Sequence, residues 1–179
     1  MMYNGGFDNG PKDFEKNLKN NQAKWVVVFI VTILISIILF GCSESNSNIS
    51  EKNKIETAIK IFFDGFHKKD SLIIKSVIEN SFELKSVSFQ NENAFINNLN
   101  GDKFISAVVN RNEAPVWNEK LISFEIKIDG PLANAWVEYE FWLDDKLSHC
   151  GVNSFHLLKK ESGWKIFTIT DSRRKNCSK

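Results

Sequence analysis

Apolar and polar residues alternate one by one through the C-terminal third of the chain. Ile122, Phe124, Ile126 and Ile128 are separated by Ser123, Glu125 and Lys127, the period of two that marks a half-buried strand. Asp129-Gly130-Pro131 interrupts it, since glycine and proline punctuate strand pairing. A second alternation runs from Ala133 to Leu143, and Asp144 to Lys146 forms a turn. A third strand is expected over 148–159, a turn at Glu161-Ser162-Gly163, and a fourth strand over 164–173. A hairpin centred on Glu161-Ser162 sets Phe155 and Leu157 on one face with Trp164 and Ile166, together with His149, Asn153, Thr168 and Thr170. A three-residue loop at 144–146 adds Tyr139 and Phe141 to that face; a two-residue loop adds Glu138 and Glu140 instead. The three-residue loop is preferred because it groups apolar with apolar, and a one-residue slip would invert every side chain. The other face then holds Trp136, Trp142, Val152, His156, Phe167, Ile169, Asp171 and Arg173. Its aromatic content calls for a cover or a dimer contact.

Upstream the period changes. Ile55, Ala58, Ile59, Phe62, Phe63 and Phe66 recur at helical spacing, giving a broad apolar stripe. Asp70 caps a second helix carrying Leu72 to Ile78. Phe82 to Phe89 reads as a short strand or irregular segment. Residues 91–99 and 102–109 read as a helical region broken at Asn100-Gly101, and 111–117 as a loop containing Pro115. Residues 1–24 form a polar, lysine-bearing leader, and Trp25 to Gly41 is an apolar run without charge. Its length is about seventeen residues, at the lower edge for a membrane span. It closes on Leu39-Phe40-Gly41-Cys42, which resembles the bacterial lipoprotein signal and implies lipidation of Cys42. An uncleaved single-pass anchor is the alternative. Either way the lysines stay inside and the remainder is extracytoplasmic, periplasmic or on the cell surface. The domain division is therefore a leader (1–24), a signal or anchor (25–42), a polar tether (43–52), a globular domain (53–175) and a tail (176–179).

Charge narrows the function classes. The formal net charge is +1, and from Ser43 onward nineteen basic residues balance nineteen acidic ones. The only basic cluster is Arg173-Arg174-Lys175, so nucleic-acid binding is not expected. No paired metal-ligand spacing, phosphate-cradling glycine loop or serine nucleophile elbow occurs, so no metal or cofactor is expected.

Helices followed by an antiparallel sheet that ends in Gly163-Trp164-Lys165-Ile166 resemble the nuclear-transport-factor-2-like superfamily. The run Ser148-His149-Cys150-Gly151-Val152-Asn153-Ser154-Phe155, with Asp171-Ser172-Arg173-Arg174, is similar to its bacterial SnoaL-like lipoproteins labelled lumazine-binding. The resemblance implies an α+β cone, a curved antiparallel sheet wrapped on N-terminal helices with a pocket at its open end. It also implies homodimers through the convex face. The superfamily holds isomerases, dehydratases, cyclases and non-enzymatic binders, so fold alone does not assign activity.

Convergent polar groups in an apolar cavity make the default binding site. On that basis Tyr139, Phe141, His149 and Asn153, with Trp117, Phe62 and Phe66, are the candidate ligand pocket. The plainer reading of His149 is a strand-end histidine bonded to backbone, and that of the aromatics is core. His67 is expected to meet the carbonyls that end the first helix. Asp171 and Arg173, two apart on a strand, form a strand-end pair or an anion site. Cys150 falls opposite Arg173, four residues before Cys177, so a returning tail brings the two thiols into disulfide range. Three functions stay open: a small-molecule-binding module, a proton-transfer enzyme with His149 as base and Tyr139 as polariser, and a dimeric interaction module of the envelope.

Overall fold

A computed structural model describes the backbone of residues 11–177 and the side chains of 24–26, 28–33 and 47–177. The chain divides into two compact units, Met1–Asn48 and Ile49–Lys179. The elements are α1 (Pro11–Lys68), α2 (Ser71–Val77), β1 (Ile78–Gln90), β2 (Asn93–Asn100), α3 (Gly101–Val109), β3 (Trp117–Asp129), β4 (Leu132–Leu143), β5 (Lys146–Lys160) and β6 (Gly163–Arg174). Only the part of α1 from Ile49 onward belongs to the second unit. The residues expected as a tether, 43–52, are helical in backbone. Glu51 within them serves the globular unit, accepting from the Trp164 indole at 2.9 Å and pairing with Lys159. Among the described residues no helix is long and apolar enough to cross a membrane. The side chain of Cys42, and most of the run 25–42, lie outside them.

In the globular unit the stripe of α1 is buried as its spacing demands: Ile55, Ile59, Phe62, Phe63 and Phe66 all lie in the core. The helix stops before Lys69, which takes a left-handed φ of 58° while the Asp70 N–H donates back to the Gly65 carbonyl at 2.9 Å, a common way to satisfy terminal carbonyls. Asp70 then caps α2, accepting from the Leu72 and Ile73 amides at 2.8 and 3.1 Å. Gly65 lies so close to α2 that a Cβ there would meet the Ile74 nitrogen at 2.8 Å; the two helices pack backbone to backbone.

Six strands form one sheet in the order β2-β1-β6-β5-β4-β3, with β1 parallel to β6 and the other pairs antiparallel. The fold class is the expected α+β, a curved sheet on helices. One strand is longer than the short strand or irregular segment expected over Phe82 to Phe89, and one was not foreseen. Residues 78–90 form one long strand, and 93–100, expected to be helical, pair with it. Asn91 and Glu92 both hold positive φ (49° and 65°), the two-residue hairpin geometry that asparagine tolerates. Phe95, Ile96 and Leu99 have helix-compatible spacing, which concealed the strand. Helix α3 starts only at Gly101, capped by Asn100, whose Oδ1 accepts from the Lys103 amide at 2.9 Å.

Two register details also differ from expectation. The β4–β5 turn has two residues, since Leu143 faces Lys146, and an irregularity between Phe141 and Trp142 leaves Ser148 unmatched. Phe141 thereby faces His149, and Tyr139 and Phe141 reach the concave side by a bulge rather than a longer loop. In β6 an irregularity passes over Phe167, so Phe155 faces Ile169 and Asn153 faces Asp171. That extra residue inverts the face beyond it. Ile169, Asp171 and Arg173 are therefore on the concave side, Arg173 still half-exposed, and Thr168 and Thr170 on the other, the reverse of the alternation argument.

The same bulge sets Cys150 opposite Arg174, not Arg173. Cys150 is bonded to Cys177 with Cα atoms 5.8 Å apart, closing a loop with a sequence separation of 27. The bond pins the chain immediately after β6. Cross-linking restricts the unfolded chain, so Cys177→Ser is expected to lower stability by about 2–4 kcal/mol in urea unfolding, with no further loss on adding reductant.

Candidate functional site

Between the helices and the concave sheet face lies a cavity of about 570 Å³. Its apolar wall comes from Phe62, Phe63 and Phe66 on α1, Phe104 on α3, Trp117 on β3 and Phe141 on β4. Phe104 stacks parallel to both Phe62 and Phe66, with centroids 5.6 and 6.4 Å apart. Trp117 packs on Phe66 and Phe141. The Arg111 guanidinium, which is not part of the cavity lining, lies about 5 Å from the rings of Phe66 and Trp117 (5.0 and 5.1 Å) and donates to the His67 carbonyl at 3.0 Å. Arg111 thus fastens the loop before β3 to the end of α1.

The polar wall is contiguous because strand register makes it so. Asn153 faces Val137 and Asp171, Gly151 faces Tyr139 and Arg173, and Phe141 faces Glu119 and His149. All seven residues proposed for the pocket line the cavity, and Asp171 and Arg173 line it too. Among the lining residues not anticipated, such as Phe63 and Phe104, the polar one is Glu119. The alternation was counted from Ile122, but β3 begins at Trp117, and Ile122 is a bulge between Leu121 and Ser123. Ile122 is accordingly exposed, and Trp117, Glu119 and Leu121 share the inner face. Only the phase break between Leu121 and Phe124 could have signalled it.

Asp171 is the hub of this wall. It accepts from Ser86 on β1, from Arg173 Nε at 2.6 Å and, more weakly, from the Tyr139 hydroxyl at 3.4 Å. The Tyr139 hydroxyl is better placed to donate to the Ser172 carbonyl at 3.0 Å. It is therefore committed to protein, and the polariser role expected of it lacks a free donor. Burial pushes its ionisation upward, with the Asp171 and Glu119 charges adding to the effect. His149 stacks on Phe141 at 4.8 Å and lies beside the Ser148 hydroxyl. Burial, helped by Arg173, holds its pKa below the usual imidazole value, so it is neutral at pH 7. His67 does not meet the carbonyls of its helix; its Nε2 accepts the Glu119 amide at 2.9 Å.

Glu119 borders the cavity. Asn153 Nδ2 donates to its Oε1 at 2.6 Å. Burial raises its pKa from 4.5 to about 7, opposed by the Asn153 hydrogen bond and reinforced by Asp171. Folding therefore favours its protonated form, and the stability this gives is complete below about pH 4.5 and lost as pH rises through about 7. The loss amounts to roughly 3 kcal/mol at most. Glu119→Gln is expected to flatten that part of the pH profile, as read by urea unfolding at pH about 5 and about 8 for both proteins.

No protein-family model matches the chain, and no curated protein matches it. Solved structures do. A cystatin-like-fold, NTF2-like protein from Novosphingobium aromaticivorans superposes with a TM-score of 0.61 at 12% identity, over 76% of this chain and 90% of that one. An NTF2-like protein of unknown function from Shewanella baltica gives 0.52 at 18% identity, over 70% and 95%. A candidate dehydratase of the NTF2-like family from Streptomyces avermitilis gives 0.52 at 10% identity, over 72% and 98%. The globular unit has the nuclear-transport-factor-2-like fold.

Proposed function

We propose that the globular unit is a small-molecule-binding module displayed outside the cytoplasmic membrane by the N-terminal segment. The observation that carries it is the cavity of about 570 Å³, within the ordinary size of ligand sites and built in their usual manner, aromatic walls with a few convergent polar groups. Buried polar groups in a natural core are normally consumed by one another; here Glu119, His149 and Arg173 border open space. The ligand is mostly apolar and ends in a polar group that meets the Glu119–Asn153 side. Native mass spectrometry of residues 49–179 is expected to show a retained adduct of small-molecule mass, released by cavity-filling Ala107→Trp.

A second reading, proton-transfer catalysis, has support in Glu119, which titrates near neutrality, and in neutral His149, since acid–base catalysts work best near ambient pH. The candidate dehydratase among the similar structures agrees with that class. Turnover that follows a bell-shaped pH profile and disappears with Glu119→Gln or His149→Ala would favour it over binding alone.

Export and anchoring rest on the apolar run 25–41 and on the disulfide, which suits an oxidising compartment. Trp25, Val26 and Phe29 stand 73%, 58% and 71% exposed, an apolar surface that a bilayer would cover. Palmitate incorporation abolished by Cys42→Ser would support the lipid form; an unlabelled, full-length membrane protein would support the uncleaved anchor. A homodimer through the convex face draws on half-exposed Trp136 together with Ile122 and Leu132; sedimentation of Trp136→Glu tests it.

A further inference from the structure

We infer that the pocket selects a ligand whose apolar body ends in a protonated nitrogen, which the free Oε2 of Glu119 receives. The inference rests on the binding reading above and names the ligand class for the same cavity. Glu119 Oε1 is taken by Asn153, and among the described residues no donor bonds Oε2. Every other charge facing the cavity is already matched. Asp171 and Arg173 hold each other, and Ser86 joins both, donating to Asp171 and receiving Arg173 Nη2 at 3.1 Å. Nε and Nη2 are so engaged, and the Arg173 charge is already offset by Asp171, so the pair presents no net charge to a ligand. His149 and Tyr139 face the cavity uncharged, His67 is occupied by the Glu119 amide, and Arg111 does not line the cavity.

Glu119 is thus the one group whose charge a ligand must complement. An incoming ammonium gains a carboxylate in a poorly hydrated site. An incoming carboxylate would place like charges together. Since the bound cation favours ionised Glu119, binding below about pH 7 expels a proton from it, the reciprocal of the shift that burial causes.

The test is isothermal titration calorimetry on the full chain in lipid nanodiscs, with empty nanodiscs as blank. The probes are naphthylmethylamine, naphthylmethanol and naphthoate, which share one apolar body and differ in charge. At pH about 8 the amine should bind at least about tenfold tighter than naphthoate. Near pH 6 its binding should release a proton, seen by comparing buffers of different ionisation enthalpy. Glu119→Gln should abolish both the preference and the proton release, and uncharged naphthylmethanol should lose less affinity than the amine. Naphthoate binding tightest, or an amine preference that survives Glu119→Gln, overturns the inference. Three probes of equal affinity overturn it but leave the binding module standing. Three probes that all fail to bind a folded protein overturn the binding module as well.

Discussion

Gly151→Ala is expected to cost more than about 4 kcal/mol of stability and to dismantle the polar wall, an effect far beyond that of an ordinary strand substitution. A Cβ at this position would lie 1.8 Å from the Ser172 carbonyl oxygen and 3.0 Å from Tyr139 Cε1. Backbone cannot yield there as a flexible side chain would. The same carbonyl accepts the Tyr139 hydroxyl, and the Ser172 hydroxyl accepts the Val152 amide at 3.2 Å. Moving Ser172 moves its neighbours Asp171 and Arg173, so stability and pocket fail together. Glycine inside a strand marks such close backbone approach. Gly130→Ala is the contrast: φ is 55° but nothing lies within 4 Å, so only backbone strain of about 1–2 kcal/mol is expected. Urea unfolding of the two variants side by side separates the effects. Equal losses would show that crowding at Gly151 is not the cause.

Phe155→Ala is expected to lose about 3–5 kcal/mol, the range for removing a buried aromatic that its surroundings cannot replace. Phe155 is fully buried and meets Phe62 and Phe63 edge-on at 6.4 and 6.2 Å. Its strand neighbours are Ala135 and Ile169, and alanine cannot grow to fill the void. Phe62 and Phe63 also line the cavity, so loss of their support should weaken ligand binding in a residue outside the pocket. Phe155→Leu, which keeps most of the volume, should recover more than half of both losses. Thermal unfolding and probe calorimetry on both variants check this.

These two positions mark what was legible in the chain. The four C-terminal strands, the helical stripe from Ile55 to Phe66 and the Asp70 cap are strongly periodic or chemically distinctive, and they stand where the pattern puts them. Alternation, with apolar grouped with apolar, also put Tyr139, Phe141, His149 and Asn153 together, although through a three-residue loop that the chain does not form. Bulges are what it could not reveal. A single unmatched residue at Ser148, Ile122 or Phe167 costs little and leaves no composition signal, yet each inverts the strand beyond it. The bulge at Phe167 brought Asp171 and Arg173 to the concave side, and the one at Ile122 brought in Glu119. The β1–β2 hairpin was hidden for another reason: β2 is an edge strand whose mixed Asn-rich sequence packs one side only lightly, so no strict alternation was required of it. The site's polar half therefore depends on irregularities of the sheet, and its apolar half on regular periodicity.

A crystal structure of residues 49–179, grown without added ligand, tests the central claim most directly. The expected result is an open interior between Phe104, Trp117 and the sheet, holding a small molecule or ordered water within hydrogen-bond reach of Glu119 Oε2. An interior packed solid by Phe104 and Trp117, with Glu119 turned to bulk solvent, would contradict it.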